Sequence, residues 1–226
     1  MPRATYDGLA DAYDSFVDEF GPYYLVAKEA LRRLLGPGHG DCLDLGCGGG
    51  HFTLVAAELG WTVTGIDASD DQLRLARQRL PAVEFIRGDA AKLPFADGSF
   101  DGAFSTFTHT DFDDFARAVQ EAQRVLKPGA PFVYVGNHPC FIGPTQELLE
   151  SGLPRLHPGY RRAGRWSAAD APGTTPGGWR ARLGSFVHLP LAQFVNAFAG
   201  FTIEQFEELE DGREYPSTIA FRLRSP

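Results

Sequence analysis

The sequence lacks long apolar runs and has little cysteine, and each shortage excludes a class of protein. No apolar stretch approaches the length of a membrane-spanning helix. The opening "MPRATYDGLADAYD" has no apolar signal core, so we expect no secretory signal. The three cysteines, Cys42, Cys47 and Cys140, are too few for a disulfide framework and form no C-x-x-C pair. We therefore expect a cytoplasmic protein with reduced thiols, and the spacing of histidines and carboxylates predicts no metal site.

Basic charge is also scarce. The chain has 21 lysines and arginines against 29 aspartates and glutamates, a net charge of −8. Nucleic-acid binding depends on basic surface that neutralises phosphates, so DNA and RNA are not expected partners. A length of 226 residues with 43% hydrophobic residues predicts one soluble globular domain. A small-molecule partner is expected, and monomer and homodimer both stay open.

Apolar periodicity predicts an α/β protein. Two helices are expected within residues 5–35, followed by strands and helices in alternation. The predicted strands of this part share short apolar runs and cover residues 41–45, 61–67, 83–89, 100–107 and 131–138. Such βα steps predict a parallel sheet with helices on both faces. Ser69, followed by Gln72, is typical of a helix capping box.

The pattern changes after His138. Residues 139–182 are rich in glycine and proline and show no sustained periodicity, which predicts an insertion or lid. A helix and two strands joined as a hairpin are expected in the C-terminal part. We thus divide a single domain into a helical cap (1–36), a cofactor-binding core (37–138), a substrate lid (139–182) and a C-terminal helix with a hairpin (183–226).

The stretch "CLDLGCGGGHFT" carries the strongest chemical signal. A strand that ends near Asp44 runs into Gly46, Gly48 and Gly50 and then into a helix, so backbone N–H groups can face a ligand. The dinucleotide pattern G-x-G-x-x-G would need glycine where this chain has His51. Asp67 ends the next strand, where a carboxylate can accept both hydroxyls of an adenosine ribose. Asp89 follows the third strand and can accept a hydrogen bond from an adenine amine.

Four segments in order, "LDLGCGGG", "GIDAS", "GDAAKLPF" and "FDGAFSTF", resemble the successive motifs of class I S-adenosylmethionine-dependent methyltransferases. The resemblance implies a doubly wound, Rossmann-like sheet of seven mostly parallel strands with the last strand antiparallel. It also implies S-adenosylmethionine as the cofactor and methyl transfer to oxygen, nitrogen or activated carbon of a small metabolite. The residues that it assigns to cofactor binding are Tyr13, Asp44, Gly46, Cys47, Gly48, Gly50, Asp67, Ala68, Asp89, Ala90 and Ser105.

By this resemblance Asp44 and the glycine loop hold the methionyl end, Asp67 the ribose, and Asp89 with Ala90 the adenine. Each residue also has a purely structural interpretation, such as turn capping for Asp44. Tyr13 fits either an aromatic contact with the sulfonium or one core-facing stripe with Tyr6. Two other functions stay open from the sequence, a nicotinamide-dependent oxidoreductase and a binding protein without turnover.

A general base is needed where the attacking atom must lose a proton. His109 and His138 follow the fourth and fifth strands at the edge where open α/β sheets bind ligands, and Asp111 is a third candidate. We favour the alternative that Asp111 caps the following helix.

Residues 151–185 contain six arginines and one acid, Asp170. This balance can attract an anionic substrate, with Tyr160, Trp166 and Trp179 as apolar walls. Pairing of the arginines with the protein's own acids is the slightly preferred alternative.

Overall fold

The computed structural model describes residues 4–19, 21–149, 151–174 and 178–226. Two helices come first, α1 at Ala10–Glu19 and α2 at Gly21–Leu35. On α2 the buried side chains include Tyr24, Ala27 and Leu31, a spacing that places one stripe against the sheet. The helix ends at Gly36, whose φ of 71° favours glycine.

The next elements alternate between strand and helix, as the apolar pattern predicts. They are β1 (Asp41–Leu45), α3 (His51–Glu58), β2 (Thr62–Asp67), α4 (Asp70–Arg79), β3 (Glu84–Arg87), β4 (Gly102–Thr106), α5 (Phe115–Val125) and β5 (Pro131–Asn137). Neighbouring strands of this set pair in parallel. Ser69 caps α4 by accepting a hydrogen bond from the backbone N–H of Gln72 at 3.2 Å, so the predicted cap is confirmed.

Short strands lie in and just after the segment 139–182, which was predicted to lack regular structure. β6 (Gln146–Leu148) pairs with β7 (Pro154–Leu156), and β8 (Gly164–Ser167) pairs with β9 (Ser185–His188). A short helix, α6 (Trp179–Leu183), lies between β8 and β9. Periodicity missed these strands because each has only three or four residues, too few to show an alternation.

The chain ends with α7 (Leu191–Asn196), β10 (Thr202–Leu209) and β11 (Thr218–Arg224). The main sheet has the order β10-β11-β5-β4-β1-β2-β3, and β11 is antiparallel to both β5 and β10. The prediction of a seven-stranded, mostly parallel sheet with an antiparallel last strand is confirmed.

Apolar side chains cover both faces of the sheet. One core cluster joins α5 and α7 to the strands through residues such as Phe115 and Phe194, and another joins α2 and α3 through Leu31 and Val55. β1 lies between β2 and β4, so the chain winds away from it in both directions. This reversal opens a crevice at the carboxyl ends of the central strands, where ligands of such sheets bind. Within the described ranges, no helix is long and apolar enough to cross a bilayer.

Candidate active site

The glycine loop after β1 follows a path that side chains would block. Gly46, Gly48 and Gly50 have φ values of 79°, 49° and 82°, in the left-handed region. A Cβ atom on Gly46 would lie 2.5 Å from Cγ2 of Thr108. The loop therefore needs glycine both for its turn and for its close approach to the segment after β4.

Asp67, at the end of β2, anchors this loop. Its Oδ2 accepts a hydrogen bond from the Gly48 N–H at 2.9 Å, and its Oδ1 accepts one from the Ser69 N–H at 2.9 Å. Each oxygen keeps a further lone pair for a ligand. Burial raises the pKa of Asp67 despite these two bonds.

A cavity of about 660 Å³ opens between the glycine loop, the ends of β2 and β3, and the N-terminal segment. The predicted cofactor residues that line it are Tyr13, Gly46, Cys47, Gly48, Asp67, Ala68, Asp89 and Ala90. Asp44, Gly50 and Ser105 do not line it. Ser105 is buried and donates a hydrogen bond to the Leu45 carbonyl at 2.8 Å, and its hydroxyl lies 2.7 Å from that of Thr108. Ser105 thus supports the cavity wall from behind.

Asp44 is fully buried directly below the loop. Its Oδ2 accepts a hydrogen bond from the Thr53 hydroxyl at 2.5 Å, whereas its Oδ1 has no partner among the described residues. Burial raises the pKa of this carboxyl to about 7. An orphaned buried carboxylate oxygen is costly in a folded protein, and this atom is therefore a candidate contact for a cationic or hydrogen-bonding ligand.

The three candidate general bases lie in different surroundings. His109 is buried among Phe115 and Phe194, with Nδ1 2.6 Å from the Tyr134 hydroxyl, and burial lowers its pKa to about 3. His138 is buried, and its Nε2 lies 3.0 Å from Oε1 of Glu208. Neither histidine lines the cavity. The structure places both in the packing around the sheet, away from the crevice.

Asp111 is placed differently from our favoured sequence interpretation. The cap of α5 is Asp114, which accepts a hydrogen bond from the Arg117 N–H at 2.9 Å, so the prediction that Asp111 caps this helix is wrong. Asp111 instead lines the cavity, where its Oδ1 accepts a hydrogen bond from the Tyr6 hydroxyl at 3.3 Å. Burial is the main cause that raises its pKa to about 7. A carboxyl in this range can accept a proton near neutral pH.

A second cavity of about 190 Å³ adjoins the first. The residues that line both cavities are Tyr6, Tyr13, Tyr24, Phe107 and Asp111. Its remaining wall includes Trp179 and Arg180 of α6 and Arg213 of the loop between β10 and β11. Phe107 has a φ of 58°, the only positive value of a non-glycine residue in the described part of the chain, at the point where the two cavities meet. Such backbone strain is typical of functional sites.

Comparisons with known proteins agree with this geometry. A family model described as a methyltransferase domain matches residues 43–134. A demethylmenaquinone methyltransferase of Renibacterium salmoninarum is 33% identical over 172 residues, which cover 70% of this chain and 72% of the relative. A second relative of the same name, from Chlorobaculum tepidum, is 36% identical over 126 residues, and the chain spans about half (52%) of its length. A solved S-adenosylmethionine-dependent methyltransferase from Mesorhizobium loti has a TM-score of 0.68 and 27% identity, covering 88% of this chain and 97% of that chain.

The chain belongs to the class I S-adenosylmethionine-dependent methyltransferases. Its methyl donor is therefore S-adenosylmethionine, and the nicotinamide alternative is wrong. The residues of this methyltransferase fit that donor. The glycine loop leaves backbone exposed to the cavity, and the orphaned Oδ1 of Asp44 and the anchored carboxylate of Asp67 supply acceptors. The individual cofactor contacts assigned by resemblance stay predictions.

Hydrogen bonds and ion pairs connect the N-terminal segment of the methyltransferase to residues that line the large cavity. Asp7 accepts a hydrogen bond from the Ser69 hydroxyl at 2.7 Å. On α1, Asp14 lies 2.7 Å from Nε2 of His51 and 2.8 Å from Nη2 of Arg79. Arg79 also donates a hydrogen bond to the Gly49 carbonyl. These bonds connect α1 to the glycine loop and to α4.

Sequence reasoning missed several walls of the second cavity. In the sequence, Tyr23 and Tyr24 belong to a predicted helix, and no motif marks Arg213 as a cavity residue. Trp179 was predicted as a wall and does line the cavity, whereas Trp166 packs with Phe186 in a separate small cluster. The adjacent aromatics of "PYYLV" were the available signal, since two rings in succession on a helix cannot both face one core.

Proposed function

We propose that this methyltransferase transfers the methyl group of S-adenosylmethionine to a compact, anionic small molecule held in the second cavity. The carrying observation is the guanidinium of Arg180. It faces this cavity, and none of the hydrogen bonds or ion pairs between described residues involves its side chain. Its Cζ lies 4.7 Å from the centroid of the Phe186 ring.

Other arginines of this region differ from Arg180 because they form ion pairs with acids of the protein. Arg155 pairs with Glu147 and Arg165 pairs with Asp113, which agrees with the alternative that such arginines hold the protein's own acids. Burial lowers the pKa of Arg180, so the position costs free energy unless an anion compensates. A carboxylate or phosphate of the acceptor would accept the hydrogen bonds that Arg180 can donate.

The role of residues 139–182 as a substrate lid belongs to the same proposal. Trp179 and Arg180 come from this region and line the second cavity but not the first. The lid thus contributes to the acceptor site, and the glycine loop contributes to the donor site. In methyl transfer the protein mainly holds the attacking atom at reacting distance from the methyl carbon. Two adjoining cavities, one for the donor and one for the acceptor, would favour this placement. The named relatives act on a quinone, and aromatic walls suit a planar acceptor of that kind.

The test compares Arg180→Gln with Arg182→Gln, which changes an exposed arginine on the same helix. Both variants and the wild type are assayed with labelled S-adenosylmethionine against a panel of small carboxylates, phosphates and their neutral esters. We expect Arg180→Gln to raise KM for charged acceptors by about 10- to 100-fold, the loss typical of a charged hydrogen bond. Arg182→Gln should behave like the wild type. Equal turnover of neutral esters and free acids by the wild type would overturn the proposal.

A further inference from the structure

We propose that the acceptor is a small aromatic hydroxy acid whose ring hydroxyl is methylated, with its hydroxyl at Asp111 and its acid group at Arg180. This inference rests on the proposed function, because it names the substrate class of the same site. It depends on three observations about the second cavity: the rings in its walls, the position of one carboxylate, and the position of one unpaired cation.

The walls are mostly aromatic. The centroids of Tyr13 and Trp179 are 4.9 Å apart, and those of Phe16 and Trp179 are 5.5 Å apart. On the other side, Tyr23 and Tyr24 have their ring centroids 5.4 Å and 5.3 Å from that of Phe107. Rings prefer stacked or edge-to-face neighbours, so this lining favours a planar ring over a flexible chain. A volume of about 190 Å³ limits the occupant to one or two rings.

The carboxylate of Asp111 lies where the two cavities meet, because it lines both. Two hydroxyls hold it in place, since Oδ1 accepts a hydrogen bond from Tyr6 and Oδ2 accepts one from Thr110 at 3.4 Å. Among the five residues that line both cavities, Asp111 is the one carboxylate, so it is the acid available to an acceptor hydroxyl that points toward the donor. Its pKa of about 7 makes it a proton acceptor of suitable strength for a phenol.

The cation lies on the side away from the donor. Arg180 lines the second cavity and is absent from the wall of the first, whereas Asp111 belongs to both. The second cavity therefore holds a carboxylate that it shares with the donor cavity and a guanidinium that it does not share, and the two charges are near enough to shift each other's pKa. Arg213 does not offer a second free cation, because it pairs with Asp211 at 2.9 Å. A ring that carries a hydroxyl and an acid group matches this arrangement.

The chemical step balances without any other reagent. The hydroxyl proton of the acceptor passes to the Asp111 carboxylate, and an oxygen lone pair forms a bond to the methyl carbon. The carbon–sulfur bond of the donor breaks, and its electron pair stays on sulfur, which becomes a neutral thioether. Asp111 then releases the proton to solvent. The products are the aryl methyl ether, S-adenosylhomocysteine and one proton.

The first experiment compares acceptors. The wild type is assayed with para-hydroxybenzoate and related hydroxybenzoates and hydroxycinnamates, with benzoate, with phenol and with lactate, and the methyl ether is detected by mass spectrometry. We expect kcat/KM for at least one ring hydroxy acid to exceed those for phenol and lactate by about 100-fold. Turnover of lactate at the rate of the ring acids would overturn this inference and leave the proposed function intact. Turnover of phenol at that rate would overturn both.

The second experiment tests Asp111 as the proton acceptor. Asp111→Asn should lower kcat by about 10²- to 10⁴-fold, the usual contribution of a general base. The control, Asp170→Asn, changes an exposed aspartate of the lid and should leave kcat unchanged. A nitro-substituted hydroxybenzoate is already ionised at neutral pH, so the same variant should lose less than about tenfold with it. An equal loss with both acceptors would mean that Asp111 has a structural role only and would overturn the assignment.

The pH dependence of kcat distinguishes the two roles of Asp111. If Asp111 had only a structural role, Asp111→Asn would leave this pH dependence unchanged. The polar and titratable groups that act on Asp111 include Tyr6 of the N-terminal segment, Thr110 of its own loop, Arg180 of α6, Asp67 of β2, Tyr13 of α1 and Tyr24 of α2. Only the carboxylate form accepts a proton, so wild-type kcat should fall as pH drops through about 7. The fall should be absent in Asp111→Asn. A profile with the same midpoint in both proteins would contradict the role of Asp111.

Discussion

At the scale of single residues, burial controls the protonation of the acids around the crevice. The pKa values of Asp44, Asp67 and Asp111 are all raised, and in each case removal from water is the main cause. Each of these carboxylates adjoins the glycine loop or a cavity, where we propose that the cationic donor and the acceptor bind. Raised pKa values of this kind are typical of functional sites.

Asp44→Asn should stabilise the ligand-free protein at alkaline pH. The pKa of Asp44 is about 7 in the folded protein, above its unfolded value of about 4, so the folded state binds this proton more tightly. Ionisation of Asp44 therefore lowers stability as pH rises from about 4 to about 7, by up to about 4 kcal/mol above that range. Urea unfolding should show that the stability gained by Asp44→Asn increases between pH 5 and pH 8, by roughly 3 kcal/mol.

The exposed Asp18→Asn is the control for this measurement and should show no pH-dependent difference. Calorimetric titration with S-adenosylhomocysteine should show weaker binding by Asp44→Asn, because the loop loses its buried carboxylate. Identical stability of variant and wild type at both pH values would show that Asp44 ionises without cost.

His109→Leu tests whether His109 has a structural or a catalytic role. The Tyr134 hydroxyl loses its buried partner, so the free energy of unfolding should fall by about 1–3 kcal/mol. The pH midpoint of kcat should not move, since His109 lines neither cavity. A shifted midpoint in a folded variant would restore His109 as a candidate base.

At the scale of elements, α1 is attached to the site by ion pairs as well as by the rings of Tyr13 and Phe16, which pack against Trp179. Only Ala10 and Val17 of this helix are buried apolar residues, whereas Asp11 pairs with Arg74 at 2.6 Å and Asp14 with Arg79 and His51. Burial opposes ionisation of Asp14, but hydrogen bonds from Arg79 and His51 outweigh it and lower its pKa. An element at the edge of the core with few fully buried apolar residues can open without unfolding the core.

Asp14→Asn should accelerate release of the cofactor product. Loss of the charged contacts to Arg79 and His51 weakens the closed position of α1 over the cavity by roughly 1.4 kcal/mol, which corresponds to about a tenfold faster dissociation of S-adenosylhomocysteine. Stopped-flow displacement measures this rate. Asp18→Asn on the same helix, whose side chain is exposed, is the matched control. Unchanged dissociation in Asp14→Asn would show that α1 does not limit release.

At the scale of the whole molecule, stability is concentrated in the core between the sheet, α5 and α7. Phe194 is completely buried and packs against Phe115 at 5.4 Å and Tyr134 at 5.3 Å between ring centroids. α7 has only six residues, so tertiary packing of this kind holds it in place. The antiparallel β11 completes the same core from the C-terminal hairpin through Phe221.

Phe194→Ala should cost about 3–5 kcal/mol of the free energy of unfolding, as is typical when a buried ring leaves a cavity. Phe206→Ala on β10 removes a ring that is 48% exposed and should cost about 1 kcal/mol or less. Urea denaturation of both variants measures the difference. Comparable losses would mean that the half-exposed ring on β10 contributes as much as the buried ring on α7.

The elements that sequence predicted best are those with a strong local pattern. β1 occupies residues 41–45 as predicted, and the cap at Ser69 and the C-terminal hairpin are also confirmed. The short strands β6 to β9 carry too little alternation to be predicted from periodicity. The assignment of Asp111 failed because Asp111 and Asp114 both precede α5, and only the path of the loop decides which one caps it.

The sequence by itself determined the order of strands and helices and the donor site, because period, turn residues and the glycine loop are encoded over short distances. Only the tertiary structure decided the acceptor site. Its walls come from α1, α2, the segment after β4, α6 and the loop before β11, and no segment supplies more than three side chains. The sequence does not show that Arg180 is buried and unpaired, because pairing and burial are properties of contacts between distant parts of the chain.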